Sequence, residues 1–344
     1  MNTAKDISGN SGLPLIRLSL ILPFLQHLDA RKIDSDAVLK DQGLSRDALT
    51  STDIFVPAVT VYKVIEAMAR TAEDPFLAVH IGEKLDLAAW PVFTESVKHA
   101  ASFGDFFFRF AAESVNQASS VQMRLDTDGE HATFRAYRVF EPSMVPAQAD
   151  AFYVGLFTSI FRNCTADKWN PHEVLIRLSD PDAVPPGYHN LMISRGDRRG
   201  PSIRFPQKWL LLPMHINEIE RSSINDIKYQ TPPKSFNEAI RQALRPHIDR
   251  TDLTAEVAAE LCGYEKRALG RKLKAGGSTL SKEIAKLREE QATRLLKDSS
   301  QSIAEVSSSV GFSDPSIFSR AFKRWTGCSP REYRKLYKEQ STAQ

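Results

Sequence analysis

Cysteine is scarce in this chain. Its three, Cys164, Cys262 and Cys328, lie far apart, and no Cys-x-x-Cys occurs. That excludes a disulfide framework and a zinc finger. Reduced thiols in a cytoplasmic protein are the expectation. A run of ~18 apolar residues is also missing, so no membrane span is expected. The polar start MNTAKDISGNSG lacks the apolar stretch of a signal peptide. No HExxH, phosphate-binding glycine loop or nucleophile elbow occurs. His80, His99, His131, His172 and His189 fall into no metal-spaced cluster. No catalytic residue, metal or cofactor is therefore assigned, and an enzyme is not expected.

What is present is a charge asymmetry. The net charge of +3 over 344 residues hides two unlike halves. From Thr231 onward there are 21 Lys and Arg against 14 Asp and Glu, a balance of +7. Residues 1–230 hold 24 basic and 28 acidic residues, a balance of −4. A basic half joined to a mildly acidic one points to an anionic partner for the C-terminal part. The length suits about two domains.

Taken in order, residues 1–12 are small and polar, which predicts a disordered tail. The 3–4 spacing of Leu15, Ile16, Leu18, Ile21, Phe24, Leu25 and Leu28 predicts a helix over 14–30. Short helices follow near 36–41 and 45–49, and longer ones over 57–70 and from Asp74-Pro75 to Lys84. Phe103, Phe106, Phe107, Phe108 and Phe110 form an aromatic cluster, either packed core or a pocket wall. Alternation at Val121, Met123 and Leu125, a turn at Asp128-Gly129, and an extended 133–139 predict a hairpin. A long apolar helix over 146–163 comes next. Strands are expected at 174–178, 191–193 and 202–205, around the basic loop holding Arg195, Arg198 and Arg199. Helices, mixed strands and one long helix make 13–219 an α+β domain for effector binding or dimerisation. A linker over 220–234 ends in Pro232-Pro233.

The C-terminal part repeats itself. TAEVAAELCGYEKRALGRKLK from Thr254 and IAEVSSSVGFSDPSIFSRAFKRW from Ile303 register without a gap at an offset of 49 residues. Each reads as a helix, a turn and a second helix with a basic outer face, the helix-turn-helix pattern. The first buries Val257, Ala258, Leu261, Ala268, Leu269 and Leu273 and exposes Lys266, Arg267, Gly270 and Arg271. The second buries Ile303, Val306, Val310, Ile317, Phe318, Ala321 and Phe322. It exposes Ser316, Ser319, Arg320, Lys323 and Arg324. A helix fits a DNA major groove, Arg pairs with guanine edges, and Lys suits phosphates. Between them, residues 282–297 predict a helix of roughly 22 Å. Such a rod can hold two recognition helices in successive grooves about 34 Å apart.

These residues resemble the AraC/XylS family of transcription regulators. The carrying stretch is SIAEVSSSVGFSDPSIFSRAFKRWTGCSPREYR, residues 302–334. The resemblance covers about 235–337. It implies an all-α DNA-binding domain of seven helices, two helix-turn-helix units joined by a linker helix, and double-stranded promoter DNA as partner. RNA polymerase is a further partner it leaves open. By position in that motif, base reading falls on Arg267, Gly270 and Arg271, and on Ser316, Ser319 and Arg320. Cys262 stands where the family usually has its turn glycine, with Gly263 beside it.

The N-terminal part resembles, more loosely, the arabinose-binding-like effector domain of a subset containing ornithine-utilisation-type regulators. The order of helices, hairpin and long helix carries this, with Arg204-Phe205-Pro206 and Leu210-Leu211-Leu212-Pro213. It implies sensing of an unidentified small molecule and leaves a homodimer open. Arg195-x-x-x-Arg199, with Arg198 between, also resembles an element of cyclic-dinucleotide receptors. A ligand-independent dimeric regulator is the remaining alternative. A fused repair methyltransferase would need a cysteine-rich metal site, and this half has Cys164 alone.

Overall fold

The computed structural model describes residues 12–49, 54–85, 96, 99–214 and 231–341. The chain forms two compact units, one spanning Leu13–Pro232 and the other containing Pro233–Gln344. All of the expected N-terminal tail except Gly12 lies outside the described residues, as does the expected linker up to residue 230.

The first unit opens on a strand, not a helix. β1 (Leu15–Arg17) pairs antiparallel with β2 (Phe55–Pro57), Ile16 opposite Val56. A short 3-10 turn over Leu18–Ile21 follows, and only then α1 (Leu22–Ala30), with Pro23 in its first turn. The apolar spacing is real, but a remote partner strand competes for its first residues. Pro23 is tolerated where a helix begins and not further in. Arg17 is buried on this strand, its Nε donating to Gln117 Oε1 at 2.6 Å and its guanidinium lying over Phe55.

α2 (Ser35–Asp41), α3 (Ala58–Thr71) and α4 (Leu77–Glu83) come next. The segment expected as a helix at 45–49 is a 3-10 turn, Arg46–Leu49. α5 (Phe103–Ser114) is capped by Ser102, whose Oγ accepts from Asp105 N at 3.2 Å. Phe103, Phe106, Phe107 and Phe110 are buried, with Phe107 4.5 Å from Phe134 and Phe103 5.0 Å from Phe161 between ring centres. The aromatic cluster is core. Phe108, on the opposite side of α5, is 74% exposed.

β3 (Val121–Thr127) and β4 (His131–Arg138) make the expected hairpin. Asp128 Oδ1 accepts from Glu130 N and His131 N, at 3.1 and 2.7 Å, which closes the turn. α6 (Ala147–Thr165) packs on α4 through two glycines. A Cβ on Gly82 would lie 2.3 Å from Phe152 O, and one on Gly155 2.2 Å from Val79 O. β5 (Leu175–Leu178), β6 (Met192–Arg195) and β7 (Ser202–Pro206) complete a sheet of order β3-β4-β7-β5-β6, in which β5 and β6 run parallel.

The second unit is all-helical. It contains seven α-helices among the described residues: α7 (Phe236–Leu244), α8 (Ala255–Leu261), α9 (Lys266–Ala275), α10 (Leu280–Asp298), α11 (Ile303–Ser309), α12 (Pro315–Thr326) and α13 (Pro330–Ser341). α10 starts earlier than its apolar spacing indicated, because Thr279 caps it, Oγ1 accepting from Lys282 N at 3.3 Å. Its 19 residues span about 28 Å at ~1.5 Å each. Leu287 is buried, and Ala292 and Leu296 join Val306, Val310, Phe318 and Phe322 in the core around the second helix-turn-helix. Arg241 of α7 pairs with buried Glu283 and lies 4.0 Å from Glu290, tying α7 to α10.

Candidate nucleic-acid interface

The repeat is not gapless in three dimensions. In the first helix and turn the equivalence is 48 residues, not 49. The caps Thr254 and Ser302 match, as do buried Ala258 and Val306, and buried Cys262 and Val310. Gly263 matches Gly311, at φ +70° and +77°. Gly263 N donates to Glu260 O at 2.9 Å, and Gly311 N to Ser308 O at 3.0 Å. In the second helix the equivalence is 49, with Leu269 on Phe318 and Leu273 on Phe322, all buried. The second turn therefore carries one more residue than the first. The apparent displacement of the first turn glycine to Cys262 disappears: Gly263 is the turn glycine. Cys262 is a packing group whose buried thiol is pushed up to about 12.

That extra residue changes how the second helices start. Asp314 caps α12, its Oδ1 accepting from Ser316 N at 2.7 Å, and Pro315 fills the first helical position. The hydrogen bond from Ser316 N holds the Asp314 carboxyl below its ordinary value. α9 begins after Glu265 with no side-chain cap. The helices before the turns are both capped. Thr254 Oγ1 accepts from Val257 N at 3.3 Å, and Ser302 and Glu305 form a reciprocal capping box.

On α9, Leu269 and Leu273 face the core while Lys266, Arg267, Gly270 and Arg271 are exposed. Val257, Leu261 and Ala268, expected inside, are half-buried, and Ala259 and Cys262 are buried. Lys266 is engaged by Glu256, whose carboxyl this pair lowers. A Cβ on Gly270 would meet nothing within 4 Å. On α12, Ser316, Arg320 and Lys323 are exposed, and Ser319 is half-buried with its hydroxyl donating to Pro315 O at 2.8 Å. Among the described residues no carboxylate ion-pairs with Arg267, Arg271, Arg320 or Lys323. Ile317 corrects the sequence reading: it is 47% exposed, not buried. Phe318 and Phe322 take the core side of α12, and Ile317 turns to the side that carries Ser316 and Arg320. Apolar character alone could not show this. The 3–4 spacing from Ala321 pointed the wrong way, since Ile317 four residues before it and Phe318 three before it both fall on its buried face.

The basic turn of the first unit is not a single cluster. Arg195 ends β6, its NH2 2.9 Å from Asp180 Oδ1 and its NH1 donating to Ser179 O at 3.1 Å. Arg199 instead donates to Tyr137 OH at 2.7 Å. Arg198 is exposed, and its carbonyl accepts from Arg138 NH1 at 3.2 Å. A phosphate seeking Arg195 would have to displace Asp180.

Among the described residues no helix is long and apolar enough to cross a membrane. In sequence the chain is similar to known transcription regulators. The ornithine utilization regulator of Pseudomonas aeruginosa is 24% identical over 278 residues, 76% of this chain and 79% of that protein. The transcriptional activator NphR of a Rhodococcus species is 32% identical over 96 residues, 28% of this chain. That match spans 29% of NphR's length. The crystal structure of the transcriptional regulator CdpR from Pseudomonas aeruginosa aligns over 97% of this chain and 100% of its own, at 17% identity and a TM-score of 0.38. A helix-turn-helix family model matches residues 257–336, and that of the N-terminal arabinose-binding domain of AraC transcription regulators matches residues 33–214, just over half of the chain. The chain belongs to the AraC family of transcription regulators, with that family's N-terminal domain joined to its DNA-binding helix-turn-helix domain.

Proposed function

We propose that the protein is a sequence-specific, effector-responsive regulator that sets α9 and α12 in successive major grooves of one promoter. The observation that carries this is the set of unpaired guanidinium groups, Arg267 and Arg271 on α9 and Arg320 on α12. They stand opposite helix faces committed to the core. Arg267, Arg271 and Arg320 read guanine edges, where a bidentate pair contributes about 1–3 kcal/mol of discrimination. Gly270 offers no side chain between the two arginines of α9, so the backbone there can approach the duplex closely. Ser319 already spends its proton on Pro315 O. Its lone pairs remain to accept from a base amino group, as does Ser316. Ile317 meets a thymine methyl. Lys323 pairs with phosphate, and Lys266 does so by exchanging Glu256 for it. In the N-terminal unit a small-molecule effector biases how the DNA-binding domain is presented, with self-association and RNA polymerase as further partners. The name of the ornithine utilization regulator, which links that protein to a metabolite, supports this half of the reading.

Sequencing the genomic DNA recovered with the protein defines the promoter fragments for the test. Arg320→Ala is expected to weaken binding to such a site by about 1–3 kcal/mol in an anisotropy titration. An equal loss on scrambled DNA would show that Arg320 touches phosphate only.

A further inference from the structure

The charges of the first unit are unevenly spread. Residues 1–230 are net acidic, at −4. Yet the five strands of the large sheet carry six arginines, no lysine and one carboxylate, Asp126. Arg138 is buried on the inner face and paired with Asp150. Arg195, at the end of β6, is held by Asp180. The other four, Arg124, Arg135, Arg177 and Arg204, are exposed. Their strand neighbours Phe134, Ile176, Ile203 and Phe205 are buried in the core, so these four stand on the outer face of the sheet.

Register puts three of them in one line. Arg124 lies opposite Arg135, Arg135 opposite Ser202, Ser202 opposite Arg177, and Arg177 opposite Ser194. A single row across all five strands therefore reads Arg, Arg, Ser, Arg, Ser, with no carboxylate in it. At ~4.8 Å per strand its three arginines span about 14 Å. Beside the row stands Tyr137, 36% exposed. Its oxygen accepts from Arg199 NH1, so the phenol proton remains available as a donor.

Such a row is unfavourable as it stands, because like charges directly opposite each other on a sheet repel. Compensation is slight. Arg135 Nε lies 3.9 Å from Asp126, and both side chains are more than half exposed, which makes the pair weak. Arg124 donates to Gln122 Oε1 at 3.1 Å, a neutral partner. Among the described residues no carboxylate ion-pairs with Arg124 or Arg177. An anion laid along the row would remove the repulsion. Guanidinium forks, hydroxyls and a phenol are phosphate-binding groups. The second unit keeps the chain on duplex DNA, which places phosphates at high local concentration. A net-acidic unit is repelled by that duplex unless it turns a basic face to it. A duplex carries one charge per ~1.7 Å, so 14 Å of it offers about eight phosphates, enough for each arginine to meet one.

We propose that the outer face of the β3-β4-β7-β5-β6 sheet is a second, sequence-independent DNA-binding surface. Arg124, Arg135 and Arg177 grip the phosphate backbone, and Ser202 and Tyr137 donate beside them. This surface acts in addition to base reading by α9 and α12. It requires DNA binding by the second unit and is independent of any effector.

The test titrates the full chain and its Arg124→Gln/Arg135→Gln/Arg177→Gln variant by anisotropy. The probes are a promoter duplex of about 60 base pairs and a scrambled duplex of the same length, over roughly 50–300 mM salt. The slope of log K against log salt should become shallower by about 2.7 in the variant, ~0.9 for each phosphate released, on both duplexes. Affinity at ~0.1 M salt should fall at least tenfold. The melting temperature should hold or rise, since a like-charge pair is gone. If the triple variant folds poorly, Arg177→Gln alone should lose about 0.9 of slope. An unchanged slope overturns the proposal, and an acidic protein partner for this face would give that result. A loss confined to the promoter duplex also overturns it, since that traces to base reading and not to the backbone. Replacing Arg267, Arg271 and Arg320 by Ala separates the two DNA surfaces. Sequence preference should vanish while the share of the slope owed to the sheet persists. Sequence preference that survives this change overturns the base-reading assignment and leaves the sheet surface standing.

Discussion

The two turn glycines allow a clean comparison. Gly263 and Gly311 hold equivalent positions and near-equal left-handed backbones, at φ +70° and +77°. Alanine at either should lose about 1 kcal/mol, the left-handed penalty less what a stiffer unfolded chain returns. Their surroundings differ. A Cβ on Gly263 would meet nothing within 4 Å. One on Gly311 would lie 2.5 Å from Ile248 O, 2.8 Å from Arg250 O and 2.9 Å from Arg288 NH2. The arginine end can swing aside, but the two carbonyls are backbone. Overpacking of this kind adds about 1–3 kcal/mol. Gly311→Ala should therefore destabilise the second helix-turn-helix by about 2–4 kcal/mol in all. The difference between the variants is then about 5- to 150-fold in the local opening constant. Hydrogen exchange read by mass spectrometry on the full chain, on peptides covering 255–275 and 303–326, measures both at once. Protection lost to within threefold of the same degree in the two variants would refute the reasoning, since it would mean that the carbonyls yield freely.

Three further outcomes follow from particular contacts. Gly270→Ala should stabilise α9 by up to ~1 kcal/mol in thermal unfolding, because its Cβ points into open space. A loss of promoter affinity in the same variant would reveal close backbone approach to DNA. Arg241→Ala leaves Glu283 buried without its partner and should lower stability by about 3 kcal/mol, read from denaturant unfolding followed at α7 and α10. Unchanged stability would mean that Glu283 protonates or reaches water at little cost. Ile317→Ala should leave the melting temperature within a degree or two, since the side chain is half exposed, and weaken only sites with thymine at its contact position by about 1 kcal/mol. A uniform loss across sites would remove Ile317 from base reading.

Local signals made most of the second unit legible. The 3–4 apolar spacing and the basic positions between act within one or two helical turns, so the chain states them directly. The gapless offset failed at one point, because residue identity (Ala255-Glu256-Val257 over Ala304-Glu305-Val306) competed with the structural equivalence of caps and turn glycines. Ile317 failed for a related reason: an apolar residue between two core positions is free to face out when its neighbours fill the core.

In the first unit the hairpin and α6 were legible from alternation and from continuous apolarity. The pairing of β1 with β2 was not, because three-residue strands have too little pattern, and their partners lie far apart in the chain. The same distance hid the pairing of Arg138 with Asp150 and the separate partners of Arg195 and Arg199. Sequence by itself determined most of the helices, the hairpin and the basic faces of α9 and α12, since those depend on neighbours a few residues away. Tertiary structure alone decided which buried charges are met and which turn glycine has no room for a methyl, because those depend on groups that only folding brings within a few ångströms.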